Sequence, residues 1–239
     1  MCSSDLLYYE RPRKYGIWFS MLPLKWKSHI ECVVSDDLVT WSDPLPVLYP
    51  TLEWHGDARY GDSVSNPCVV RHGKRYLLYY SASLVRVPDC GFNEPLHIGV
   101  AEGDGPAGPF TPHPEPLISP SPDNAWCNLG AGAFKAVRLD DGFIGFENSI
   151  YWSEAASHSG SAILVFTSKD GLKWKQAFPE PLVRPEGDGW KRSHVYALDA
   201  RPVGPSTWHL YYNARNDWHW TAGRERIGLV VGKSTRKKS

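Results

Sequence analysis

Four short apolar segments recur along the chain at Ile30 to Val34, Ile98 to Ala101, Ile163 to Phe166 and Ile227 to Val231, and their starts lie 68, 65 and 64 residues apart. A repeat of this length marks one supersecondary unit copied along the chain, each copy needing its neighbours to bury its faces. Two copies are followed by closely related turns, Ser35-Asp36-Asp37-Leu38-Val39-Thr40-Trp41 and Ser168-Lys169-Asp170-Gly171-Leu172-Lys173-Trp174, and then by a Pro-Leu pair. A looser version runs from Gly103 to Phe110. Upstream of each apolar segment stands an aromatic strand, such as Tyr76-Leu77-Leu78-Tyr79-Tyr80-Ser81 or Trp208-His209-Leu210-Tyr211-Tyr212-Asn213, and before that an inner-strand candidate. Each copy therefore reads as a four-stranded antiparallel blade. The predicted fold is all-β and of the propeller type, with a sandwich as the competing architecture. The blades fall at about 7–50, 51–120, 121–185 and 186–239 of a single domain.

Composition narrows the function classes. Lysine plus arginine, 26, balance aspartate plus glutamate, 26, and only the basic run at the very end is concentrated, so a nucleic acid has no electrostatic footprint. No stretch reaches the ~18 apolar residues a membrane helix requires, so no membrane partner is expected. The five cysteines are scattered without Cys-x-x-Cys spacing, which reads as buried free thiols rather than a zinc site or disulfide scaffold. Eleven tryptophans and twelve tyrosines suit both blade packing and the stacking of sugar rings.

Residues 1–6 include Cys2-Ser3-Ser4-Asp5-Leu6, which one frame of a common sequencing adapter encodes, and they are set aside from functional reasoning. The first copy then lacks most of its inner strand. Four blades rarely close a small ring, so the expectation is an N-terminally truncated propeller with about four blades visible.

The stretch from Asn66-Pro67 through Ser81 to His97-Ile98-Gly99-Val100-Ala101 and Gly105-Pro106 resembles the arabinanase/xylosidase-like and β-fructosidase-like glycoside hydrolases, which are five-bladed propellers. The resemblance covers nearly the whole chain. It implies a funnel at one end of the central channel, with carboxylates at the starts of inner strands and, in some members, a channel calcium ion; no cofactor is required. The chemistry needs one acid to protonate the leaving oxygen and one carboxylate to activate water or attack the anomeric carbon. This chain departs from the pattern at three inner-strand starts, which carry Asn66-Pro67, Asn128-Leu129-Gly130 and Arg192-Ser193-His194.

The catalytic candidates are Asp62, Glu147 and His194. Asp62 enters an inner strand and could face the funnel, or it and Asp57 could cap a turn. Glu147 stands in an apolar strand, where it is either an acid with a raised pKa or the partner of an arginine. His194 could hold a substrate hydroxyl or be a structural histidine, and Asp199 reads more readily as a partner of Arg201. Trp54, Trp126 and Trp190 precede successive inner strands and are candidates for stacking on sugar, or for blade packing; Asn66 and Arg192 complete the substrate-binding set. The expected function is hydrolysis of an oligosaccharide or polysaccharide. The competing functions are phosphorolysis, with Arg192 and His194 receiving phosphate, and non-catalytic carbohydrate binding, favoured by the missing acids. The sequence carries no visible targeting signal, so the compartment stays open.

Overall fold

The computed structural model describes residues 4–10, 13–22 and 28–233; Cys2 and the basic run at 236–238 lie outside them. The strands form four meandering units in which consecutive strands pair antiparallel. Unit 1 contains β1 (Ser4–Glu10), β2 (Arg13–Met21), β3 (His29–Ser35) and β4 (Leu45–Leu48). A helical turn at Glu53–His55 and a small hairpin, β5 (Gly56–Asp57) with β6 (Gly61–Asp62), lead into unit 2. That unit contains β7 (Val64–His72), β8 (Arg75–Val87), β9 (Phe92–Gly103) and β10 (Thr111–Pro112). Unit 3 has β11 (Gly130–Leu139), β12 (Gly142–Ser153), β13 (His158–Ser168) and β14 (Trp174–Gln176), and unit 4 has β15 (His194–Pro202), β16 (Thr207–Arg215) and β17 (Glu225–Lys233). A single parallel bridge, Ser161 to His194, links units 3 and 4. Unit 1 differs from the sequence reading: Ser4–Glu10 pairs with β2 along its whole length, supplying the first strand that the repeat seemed to lack.

The cores lie between units, as stacked blades require. Every residue from Tyr76 to Ala82 in β8 is buried, because both faces of the strand are covered. Leu78 and Tyr80 pack with Trp18, Ile30 and Val64 toward unit 1, while Leu77 and Tyr79 pack with Phe134, Phe143 and Leu164 toward unit 3. A third cluster joins Phe146, Ile163 and Val165 to Val195, Leu210 and Tyr212 across units 3 and 4. Cys32, Cys68, Cys90 and Cys127 are buried thiols that form no disulfide among the described residues.

The repeated turns owe their shape to side-chain acceptors. Ser35 Oγ accepts from the backbone N–H of Asp37 and Leu38, and Asp37 Oδ1 accepts from Val39 and Thr40. The later copy repeats this with Ser168 and Asp170. These N–H donors are the main cause holding the Asp37 and Asp170 carboxyls below the usual range. Equivalent positions bear a left-handed backbone, glycine in one copy (Gly171, φ 75°) and leucine in the other (Leu38, φ 64°).

Three of the units carry a bulge near the start of the first strand, between Ser65 and Cys68, Ala131 and Ala133, and Tyr196 and Leu198. A bulge bends the strand and re-aims its side chains, so these are the places where a regular ladder gives way to an irregular surface at the strand tips.

Candidate functional site

A cavity of about 200 Å³ opens where the tips of units 2, 3 and 4 meet. Unit 2 contributes the far end of its long β8–β9 hairpin, with Cys90, Phe92 and Glu94. Unit 3 supplies Asn148 and Ile150 from β12 and Ser161 from β13. From unit 4 come His194, Tyr196, Arg215, Trp220 and Glu225. The register explains this last group: His194 pairs with Arg215 across β15 and β16, and Arg215 pairs with Glu225 across β16 and β17. The β15 bulge directly follows Tyr196. Val87, Cys90 and Ile150, with Phe92 against them, form an apolar cluster that seats the hairpin on unit 3.

Glu94 is half-buried and lines the cavity. Burial is the main cause raising its carboxyl to about 7, with Arg215 pulling in the opposite direction. Burial likewise lowers His194 to about 4, helped by Arg215, so the imidazole is neutral at pH 7. The Tyr196 hydroxyl is held protonated by burial and by the Glu225 carboxylate beside it, although their contact falls short of hydrogen-bond geometry. Arg215 is buried and donates from one terminal nitrogen to the carbonyls of His219 and Ala222, at 2.6 and 2.9 Å.

Five polar atoms of the lining are buried and have no hydrogen-bond partner among the described residues: Asn148 Oδ1, Ser161 Oγ, His194 Nδ1, Tyr196 OH and Arg215 Nε. An unsatisfied buried polar group costs about 1–3 kcal/mol, so such groups gather where solvent or a ligand completes them. The set mixes acceptors, a donor and two hydroxyls, which suits a neutral polyol whose every hydroxyl both gives and takes.

Among the sequence candidates, His194 lines this cavity. Glu147 does not: it is 0% exposed, accepts from Ser149 and Cys127, and burial raises its carboxyl to about 8. It has the raised pKa that a catalytic acid needs and is closed to substrate in this arrangement. Asp62 sits in β6 opposite Gly56 and near the buried His55, away from the cavity, while Asp57 caps the hairpin turn by accepting from Arg59 and Tyr60. Asn66 ties three units together, its N–H donating to Ser20 and its side chain to Ser81 Oγ and the Gly132 carbonyl. Arg192 donates to the Asn216 carbonyl and lies over Trp218, bracing the β16–β17 loop. Asp199 pairs with Arg201 and with Lys135 of unit 3.

The three tryptophans have a shared packing role. Trp54 and Tyr80 stack with centroids 6.0 Å apart, Trp190 and Tyr212 do the same at 6.0 Å, and Trp126 meets Tyr151 edge-on at 5.1 Å. Each tyrosine lies over a cross-strand glycine, Gly99, Gly228 and Gly160 respectively, where a Cβ would strike the ring. None of the three tryptophans lines the cavity.

Glu94, Tyr196, Arg215, Trp220 and Glu225 escape the sequence reading because it seeks acids at the starts of inner strands. The carboxylates of the cavity instead flank the starts of the apolar third-strand segments, Glu94 before Ile98 and Glu225 before Ile227. Among the described residues no group of three or more His, Cys, Asp or Glu is arranged to hold a metal ion.

The succession of units has counterparts in solved structures. The chain matches a glycoside hydrolase with a TM-score of 0.71 at 14% identity, covering 98% of this chain and 73% of the other. It matches an exo-1,5-α-L-arabinanase from a bovine ruminal metagenomic library with a TM-score of 0.64 at 14% identity, covering 97% and 70%. The fold is that of the β-propeller glycoside hydrolases. An N-acetylgalactosamine deacetylase from F. plautii, in complex with blood group B trisaccharide, also matches with a TM-score of 0.68 at 15% identity, covering 97% and 72%. Proteins named for different chemistries thus share this fold, and the site must decide. No protein-family model and no curated protein sequence matches the chain. No helix among the described residues is long and apolar enough to cross a membrane.

Proposed function

We propose that the protein is a glycosidase that cleaves its substrate in the cavity between units 2, 3 and 4, with Glu94 as general acid and Glu225 as the second carboxylate. The observation that carries this reading is one cavity lined by two glutamates from different units, one of them raised to about 7, together with five buried polar atoms that have no partner among the described residues and match sugar hydroxyls. A carboxylic acid with a pKa near neutrality still holds a proton at the pH where the enzyme works, which is what protonation of a glycosidic oxygen requires. Glu225 then acts on water or on the anomeric carbon as that oxygen departs. The neutral His194 and the Tyr196 hydroxyl bind sugar hydroxyls, and Arg215 fixes the loop that frames the site.

The test is turnover on a panel of aryl glycosides by the wild-type protein and by Glu94→Gln and Glu225→Gln, with and without phosphate. On the members of the panel with poor leaving groups, each variant is expected to lose about a hundredfold or more in kcat/KM, the range set by losing an acid or base. Retained binding of glycans with no wild-type turnover would transfer the reading to a carbohydrate-binding propeller, and strict phosphate dependence would transfer it to phosphorolysis.

A further inference from the structure

On the reading of this cavity as a glycosidase site, we infer that the sugar it binds is acidic and carries a carboxylate that meets the guanidinium of Arg215. Four of the five lining atoms that have no partner among the described residues, on Asn148, Ser161, His194 and Tyr196, belong to uncharged groups, and the hydroxyls of a neutral polyol would satisfy them. The fifth is Nε of Arg215, and it belongs to a permanent cation. A neutral sugar leaves that charge uncompensated.

Arg215 is 5% exposed. Its two hydrogen bonds leave from a single terminal nitrogen and end on the main-chain carbonyls of His219 and Ala222, which carry dipoles but no net charge. Among the described residues no carboxylate forms an ion pair with it. The acids nearby are engaged elsewhere, open to solvent, or neutral. Asp89 accepts from the N–H groups of Ser159 and Cys90, at 2.7 and 3.0 Å, and Asp217 Oδ2 stands 3.9 Å from the Arg192 guanidinium. Glu225, the cross-strand neighbour of Arg215, is exposed and lies beside Tyr196, while Glu94 keeps its proton up to about 7. A buried charge without a paired anion is costly, and here the charge lines a cavity, where an anionic group on a ligand can reach it.

The reaction itself disfavours an uncompensated cation at this place. Cleavage of a glycosidic bond develops positive charge on the sugar ring in the transition state, and a buried cation beside that ring opposes it more strongly than it would in water. A carboxylate borne by the sugar and set against Arg215 removes the opposition and adds a charge-assisted hydrogen bond. The substrate class is therefore a glycoside of a hexuronic acid, its hydroxyls meeting the four uncharged atoms and its carboxylate meeting the fifth.

The experiment compares aryl glucuronides and galacturonides, in both anomeric configurations, with their methyl esters and with the corresponding aryl hexosides, on the acid side of the Glu94 titration and at one ionic strength. The ester keeps the shape of the sugar and removes its charge while the protein stays unaltered. Wild type is expected to cleave a free hexuronide at least about tenfold better in kcat/KM than its ester or the neutral hexoside, the scale of one charge-assisted hydrogen bond. Arg215→Gln is expected to lose most of that preference; should the variant fail to fold, the ester comparison in wild type decides. Equal or better cleavage of the neutral substrates would overturn the acidic-sugar inference and leave the glycosidase reading in place. If no aryl glycoside is turned over, the glycosidase reading falls and calorimetry with the free sugars decides the inference: binding of glucuronate or galacturonate well above that of glucose or galactose upholds it, and equal binding, or none, overturns it.

Discussion

At the scale of single residues, Glu94 and Glu147 are both raised by burial but have opposite surroundings. Glu94 opens onto the cavity with its carboxyl raised to about 7, so the account predicts that kcat/KM falls as pH rises through about 7, when the acid loses its proton. Glu94→Gln should abolish that falling limb as well as most of the activity; a limb that persists would assign it to another group. Glu147 is raised to about 8 from the ordinary 4.5 by burial. The folded state therefore holds its proton more tightly than the unfolded state does, and the stability it contributes is complete below about 4.5 and is lost as pH rises through about 8. Glutamine mimics the protonated form, so thermal melts of Glu147→Gln should sit near wild type at pH 5 and well above it at pH 9. An equal difference at both pH values would contradict the burial argument. Sequence alone marks Glu147 as a carboxylate in an apolar strand. It cannot show that Ser149 and Cys127 close over it, nor that Glu94 reaches the site, because both depend on which strands of other units lie alongside.

Among the elements, the repeat is legible because the turn chemistry is local: Ser35 with Asp37, and Ser168 with Asp170, cap their turns using residues within three positions. Leu38 takes a left-handed conformation at the place where the equivalent copy has Gly171, and it is 47% exposed, so little packing depends on it. Relief of a left-handed penalty of about 1–2 kcal/mol, partly offset by the flexibility of glycine, predicts that Leu38→Gly stabilises by roughly 0.5–1 kcal/mol. Urea denaturation would show this as a higher midpoint at unchanged slope. The tryptophan series is visible in the sequence, but its purpose lies in a cross-strand relation. Trp54 rests on Tyr80, which covers Gly99, and a methyl at Gly99 would fall 2.5 Å from the tyrosine ring and 2.6 Å from the tryptophan. Gly99→Ala should therefore destabilise by about 1–3 kcal/mol through overpacking, and an unchanged denaturation midpoint would refute that role.

For the whole molecule, stacked units bury their sheets against one another, and β17 shows what an uncovered sheet face looks like. Ile227, Leu229 and Val231 alternate along one side of it, exposed to 74%, 47% and 58%. An apolar strand face of this kind invites association between molecules. The double substitution Ile227→Lys, Val231→Lys should reduce concentration-dependent self-association in sedimentation experiments while changing the melting temperature little. All-β architecture and unit order follow from a period of about 65 residues; the site does not, because it is assembled from a hairpin end, a strand middle and a loop drawn from three different units. The measurement that bears most directly on the central claim compares aryl glycosides with good and poor leaving groups in wild type and Glu94→Gln. If Glu94 protonates the departing oxygen, the variant keeps much of its activity on an activated dinitrophenyl glycoside and loses at least about a hundredfold on an unactivated alkyl glycoside. Equal losses on both substrates, or no loss on either, would contradict the assignment of Glu94 as the acid and with it the placement of the reaction in this cavity.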